Sequence, residues 1–183
     1  MVYVLLAEGF EEIEALAPID FLRRAGVDVS VLGLTDRTVT GAHGIPVVAD
    51  ALVSDADFSR ADALLLPGGM PGTKNLDADP RMTDILSTVF GQGGILAAIC
   101  AAPMVLGTRG YLEGKKAICY PGFEEYLKGA EVSSLPVVCD GRIITAKSAG
   151  HAWEFGYRLG CALVGRDVCE KVREGLYLPS FGC

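Results

Sequence analysis

The sequence predicts an α/β fold in which a mostly parallel sheet carries helices on both faces. Unbroken apolar runs at residues 2–7, 63–66 and 94–99 lack the polar alternation of strands with one wet face, so they read as strands buried on both sides. Segments of helical character separate them, and this alternation is the mark of βαβ units. In such sheets ligands bind where the strands end, at their carboxyl edge.

Residues 2–7 (VYVLLA) open the chain as a buried strand. Glu11 to Ala25 reads as a helix closed by Gly26, a residue suited to the left-handed turn after a helix. Val27 to Leu34 forms the next strand. Residues 37–53 read as a hairpin or irregular excursion, punctuated by Gly41, Gly44 and Pro46. Ala63 to Leu66 is a third strand, closed by Pro67-Gly68-Gly69. Pro80 to Phe90 is helical, with Pro80 in the first turn. Gly94 to Ile99 is a fourth buried strand, and Ala101 to Arg109 the helix after it. Ala117 to Cys119 and Val132 to Val138 are further strand candidates. Asp140-Gly141 is a turn signal that joins Val137-Val138 to Arg142–Ala146 as a hairpin. Ala149 to Val164 is a long amphipathic helix and Arg166 to Gly175 a short one. With no repeat, linker or low-complexity stretch, the chain reads as one domain over residues 1–183.

Half of the residues are hydrophobic, 21% are charged, and the net charge is −7. That balance argues against nucleic acid or an anionic membrane surface as partner, because no basic patch is present to offset phosphate. No apolar run approaches the ~20 residues that span a bilayer. The opening residues lack a basic targeting segment, so a cytoplasmic location is expected. Six cysteines (Cys100, Cys119, Cys139, Cys161, Cys169 and Cys183) are spread through the second half of the chain. None of them shows C-x-x-C spacing, so reduced thiols and no metal site are expected.

Cys100 stands apart from the other five. It sits where the apolar strand 94–99 runs into a helix, flanked by Ala97, Ala98, Ala101 and Ala102. Small neighbours let the chain turn sharply, as in a nucleophile elbow. A helix beginning at Ala101 adds N–H groups and partial positive charge, a setting that lowers a thiol from ~8.5 by one to several units. A small buried hydrophobe is the other reading of this cysteine.

Gly68-Gly69, at the end of the third strand, allows N–H groups to converge as an anion nest. With Ala101, Gly69 forms a potential oxyanion pair; a plain tight turn is the alternative. Gly68 to Lys74 lacks the order of a phosphate loop, and no G-x-G-x-x-G occurs, so no nucleotide cofactor is expected. In Glu11-Glu12-Ile13-Glu14, two acids are expected to be solvated at a helix start. Pro18 makes the helix irregular near Glu14 and allows one carboxylate to turn inward; three surface charges are the other reading.

These residues together resemble the ThiJ/PfpI superfamily, in its parkinsonism-associated deglycase branch. The resemblance rests on Ala7 to Glu14 (AEGFEEIE), Leu22 to Gly26 (LRRAG), Leu66 to Gly69 (LPGG), Asn75-Leu76 and Ala97 to Pro103 (AAICAAP). It implies a flavodoxin-like three-layer sandwich, a class I glutamine amidotransferase-like domain, and a homodimer. It maps the oxidisable nucleophile onto Cys100, a protonated glutamate onto Glu14, and backbone donors onto Gly69 and Ala101. The implied activity is glyoxalase- or deglycase-like, on small α-oxoaldehydes or glycated groups, without cofactor. Oxidative-stress sensing or chaperone-like action through Cys100 is the alternative. Two positions depart from the pattern. Tyr120 stands where a histidine is common, a poor base that can still donate a hydrogen bond. His43 stands where an arginine is often found. Ala101 replaces the histidine of protease-like relatives, so peptidase activity is not expected.

Overall fold

The computed structural model describes residues 1–182; Cys183, the last of the six cysteines, lies outside the described residues. The first apolar run forms strand β1 (Val2–Leu6), every residue of it buried. Helix α1 (Glu12–Arg24) follows and continues through Pro18. The amide missing at Pro18 leaves a gap in the hydrogen-bond ladder at Glu14, but the surrounding turns hold the helix. Strand β2 (Val29–Gly33) pairs with β1 in parallel.

Residues 37–53 resolve into a hairpin, β3 (Thr38–Thr40) and β4 (Pro46–Val48), and a short strand β5 (Ala51–Leu52) that joins the edge of the main sheet. Strand β6 (Ala63–Leu66) comes next. Helix α2 (Gly72–Ala78) has no counterpart in the sequence reading, and helix α3 (Met82–Gly91) begins two residues later than expected. Strand β7 (Ile95–Ile99) leads to α4 (Pro103–Gly107).

Strands β8 (Lys116–Ala117) and β9 (Glu131–Val132) form a small parallel pair. The segment 132–138 is therefore not one strand. Pro136, which lacks an N–H, precedes the separate strand β10 (Val137–Asp140), which turns at Gly141 into β11 (Ile143–Ala146). Residues 149–151 form a tight turn before α5 (Ala152–Val164), and Gly165 separates α5 from α6 (Arg166–Gly175).

The main sheet has seven strands in the order β10-β11-β7-β6-β1-β2-β5, parallel except where β10 meets β11. Two apolar layers flank it. Ala15, Ile19 and Leu22 of α1 pack with Phe155 and Leu159 of α5 on one face. Leu76, Leu86, Val89 and Val105 from α2, α3 and α4 cover the other. This is the three-layer α/β sandwich expected. Burial on both faces explains why the central strands carry almost no polar residues. Among the described residues no helix is long and apolar enough to cross a membrane, and the five described cysteines are unpaired.

Candidate active site

The carboxyl ends of β1, β6, β7 and β11 meet at one edge of the sheet. β7 runs directly into Cys100, whose φ is +64°. A side chain in that left-handed region costs about 1–2 kcal/mol. The buried alanines at 97, 98, 101 and 102 leave room for the turn. It is pinned on two sides: Cys100 donates its N–H to the Ala146 carbonyl at 2.9 Å, and its own carbonyl accepts the Tyr120 N–H at 2.7 Å. The sulfur is only partly buried.

Glu14, in the first turn of α1, is 1% exposed. Its Oε2 accepts the Gly68 N–H at 2.9 Å. The Cys100 thiol and the Ala149 N–H also bear on this carboxyl and favour its charged form. Position 68 must be bare for this to fit, because a Cβ there would lie 2.5 Å from Glu14 Oε2 and 2.7 Å from Cys100 Cβ. Gly69 has φ +90°, and its N–H and that of Ala101 both favour the Cys100 thiolate. The structure thus brings Cys100, Glu14, Gly68, Gly69 and Ala101 together. Tyr120 reaches them through its backbone. Its phenol is exposed and forms no hydrogen bond with the described residues.

The electrostatics correct one expectation. Burial pushes the Glu14 carboxyl up to about 7; the Glu11 charge adds to this, and the bonds from Cys100, Gly68 and Ala149 oppose it. Burial likewise pushes the Cys100 thiol up to about 12, helped by the charge and hydrogen bond of Glu14 and opposed by the Ala101 and Gly69 N–H groups. The thiol is therefore not acidified. The expected helix at Ala101 is the reason: residues 101 and 102 are turn, and α4 spans five residues from Pro103. So short a helix offers little dipole to offset burial and a neighbouring carboxylate. Two groups in contact titrate as a pair. One negative charge enters near pH 7, and the second is held off to about 12. Between those limits a thiolate beside a carboxylic acid needs only a proton shift between the two neighbouring groups.

The other acids of the segment are less solvated than expected: Glu11 is partly buried. Glu12 is 4% exposed. Burial raises its carboxyl, but bonds from the His43 ring and from backbone N–H groups outweigh that and hold it below the usual range. No local sequence signal announces the Ala149 N–H or the approach of His43, since both depend on distant segments. A cavity of about 700 Å³ around Met1, Asp28, Arg60 and Gln92 lies at the opposite edge of the sheet and holds none of this chemistry.

The DJ-1/PfpI family model matches residues 1–160, which carry all of these groups. The chain belongs to the DJ-1/PfpI family. It is 40% identical over 97% of its length to DJ-1 homolog A of Arabidopsis thaliana. It spans 46% of that relative and 40% of Arabidopsis homolog B, under half of each. It is 31% identical to a glutathione-independent glyoxalase of Caenorhabditis elegans, covering 96% of this chain and 94% of the relative. The solved structure of oxidized Toxoplasma gondii DJ-1 superposes with a TM-score of 0.93 at 35% identity and 98% coverage of both chains. The DJ-1/PfpI chain described here has the α/β sandwich of these neighbours.

Proposed function

We propose that this chain is a cysteine-dependent, cofactor-free enzyme acting on small α-oxoaldehydes or glycated groups. The observation that carries the reading is the contact of the raised Cys100 sulfur with the buried Glu14 carboxyl, opposite two backbone N–H groups. The C. elegans glyoxalase and a Pyrococcus abyssi deglycase, 30% identical over 83% of this chain, lend it support.

In the proposed reaction the thiol proton passes to Glu14 as sulfur adds to the aldehyde carbon. The C–S bond forms and the carbonyl π pair moves onto oxygen, where the N–H groups of Gly69 and Ala101 receive it. Glu14 then returns the proton to that oxygen, giving a hemithioacetal. The exposed Tyr120 phenol is available to the second oxygen of the substrate.

Methylglyoxal consumption by the wild type and by Cys100→Ser tests this. The wild type is expected to turn it over, and the variant to lose at least 10³-fold while its melting curve is unchanged, because a serine hydroxyl in this site is a far weaker nucleophile. Equal turnover by the two proteins would overturn the mechanism. Rapid, selective peroxide oxidation of Cys100 without any turnover would favour the sensing reading instead.

The same reading includes a homodimer. Ile13, Leu16 and Ile45 are exposed and, with Trp153, line an apolar groove beside the site. A second copy covering this groove accounts for apolar residues that would otherwise face water. Sedimentation equilibrium is expected to give twice the chain mass for the wild type and the monomer mass for Leu16→Lys. A monomeric wild type would refute the pairing.

A further inference from the structure

Outside the Cys100 pair, one cluster combines metal-ligating side chains with a rigid frame. His43 sits at the tip of the β3–β4 hairpin, 31 residues from Glu12 in sequence. Its Nδ1 lies 2.9 Å from Glu12 Oε2 and 3.2 Å from Glu11 Oε2. All three ligand atoms fall within 4.8 Å of one another.

We propose that Glu11, Glu12 and His43 form a binding site for a first-row divalent cation such as zinc, apart from the Cys100 pair and independent of the activity assigned to it. The donor set of one imidazole and two carboxylates suits such ions. A tetrahedral zinc with ligand bonds of roughly 2.0–2.2 Å separates neighbouring ligand atoms by about 3.4 Å. The two spacings at Nδ1, 2.9 and 3.2 Å, fall about 0.5 and 0.2 Å short of that edge. The ion takes the place of the Nδ1 proton, and two carboxylates balance its charge.

The surroundings are organised in the way an outer ligand shell is. Glu12 is 4% exposed, and its Oε1 is occupied by the His43 N–H at 2.9 Å and the Ile45 N–H at 3.3 Å, which leaves Oε2 to point at the site. Such second bonds fix a ligand's orientation. The hairpin is tied down by Ala42 N–H to the Phe10 carbonyl at 2.7 Å and Gly9 N–H to the Thr40 carbonyl at 2.8 Å. Gly41 lets Glu12 lie against the hairpin, since a Cβ there would come 2.3 Å from Oε1. In the single chain the His43 side chain is 67% exposed, so the remaining coordination position is open there. That is the three-ligand, one-open arrangement of a reactive or exchangeable ion, not a closed structural one.

Titration of zinc chloride into the full reduced chain, followed by calorimetry, tests the assignment. One equivalent is expected to bind per chain. His43→Gln and Glu12→Gln should each weaken binding at least tenfold, and Cys100→Ser should leave it unchanged. Cobalt(II) should give tetrahedral d–d bands with no thiolate charge-transfer absorption. His43→Gln alters an exposed loop residue, so it remains informative even if Glu12→Gln fails to fold. Absence of saturable binding overturns the proposal. So does binding that survives His43→Gln; its disappearance in Cys100→Ser would then put the ion on the thiol.

Discussion

Glu14→Gln is expected to lower methylglyoxal turnover by about 10²–10⁴, the range of a lost general acid–base, and at the same time to raise thermal stability at pH 8 relative to the wild type. The glutamine keeps the shape of the site: its oxygen can accept from Gly68 and its amide can donate to sulfur, but it cannot take up the thiol proton. In the wild type, turnover and iodoacetamide labelling of Cys100 should both climb as pH rises through about 7, where the pair gains its charge, and then level off. In the variant the labelling midpoint should move above the ordinary thiol value, since burial still opposes the thiolate. A variant that keeps a midpoint near 7 would show that some other group takes the proton.

The stability effect follows from the same displacement. The folded-state Glu14 pKa lies above the unfolded value, 4.5 rising to about 7. The native state therefore holds this proton more tightly than the unfolded chain does. That stabilisation is fully present below pH 4.5 and is lost as pH rises through 7. It amounts to about 3 kcal/mol at 1.36 kcal/mol per unit. The difference in melting temperature between wild type and Glu14→Gln should therefore change by about 6–12 °C between pH 4 and pH 8, for a domain of this size. A difference that stays constant with pH would show that Glu14 is not the buried acid responsible.

Gly68→Ala should disable the site by a purely steric route. The new methyl would meet Glu14 Oε2 at 2.5 Å, Cys100 Cβ at 2.7 Å and the Ile99 carbonyl at 2.9 Å. No flexible side-chain tip is available to yield, because two of the three belong to the strand end and the third to a buried carboxylate. Overpacking of this kind costs about 1–3 kcal/mol, and opening the Gly68–Glu14 bond adds the penalty of a buried, unsatisfied polar group. Turnover should fall at least 100-fold. Gly26→Ala is the control: its φ is +77° but a Cβ there meets nothing within 4 Å, so only about 1 kcal/mol of backbone strain is expected, with activity intact. If Gly68→Ala matched Gly26→Ala in both respects, the close packing around Glu14 would not matter for the chemistry.

The parts of this site that are readable from sequence are those encoded locally. The apolar runs of β1, β6 and β7 announce a doubly covered sheet, and the alanines around Cys100 announce a tight turn at its edge. Gly68 and Gly69 are readable as a bare turn, although not as the floor on which Glu14 rests. What escapes local reading is set by tertiary contact. Helix α2 begins with Gly72, a poor helix former by propensity, and is held by Leu76 in the core. The direction of the thiol shift depends on burial and on a carboxylate 86 residues away in sequence, neither of which the residues beside Cys100 disclose. His43 likewise gains its meaning only when the hairpin folds onto Phe10.

The backbone at Cys100 has a consequence of its own. At φ +64° this position suits an achiral residue, and any side chain carried there makes the native state a little easier to melt. The fold thus bears a standing penalty at one residue in order to hold a sulfur atom upright at the rim of its sheet. Thermal robustness and reactivity are set against each other at a single torsion angle.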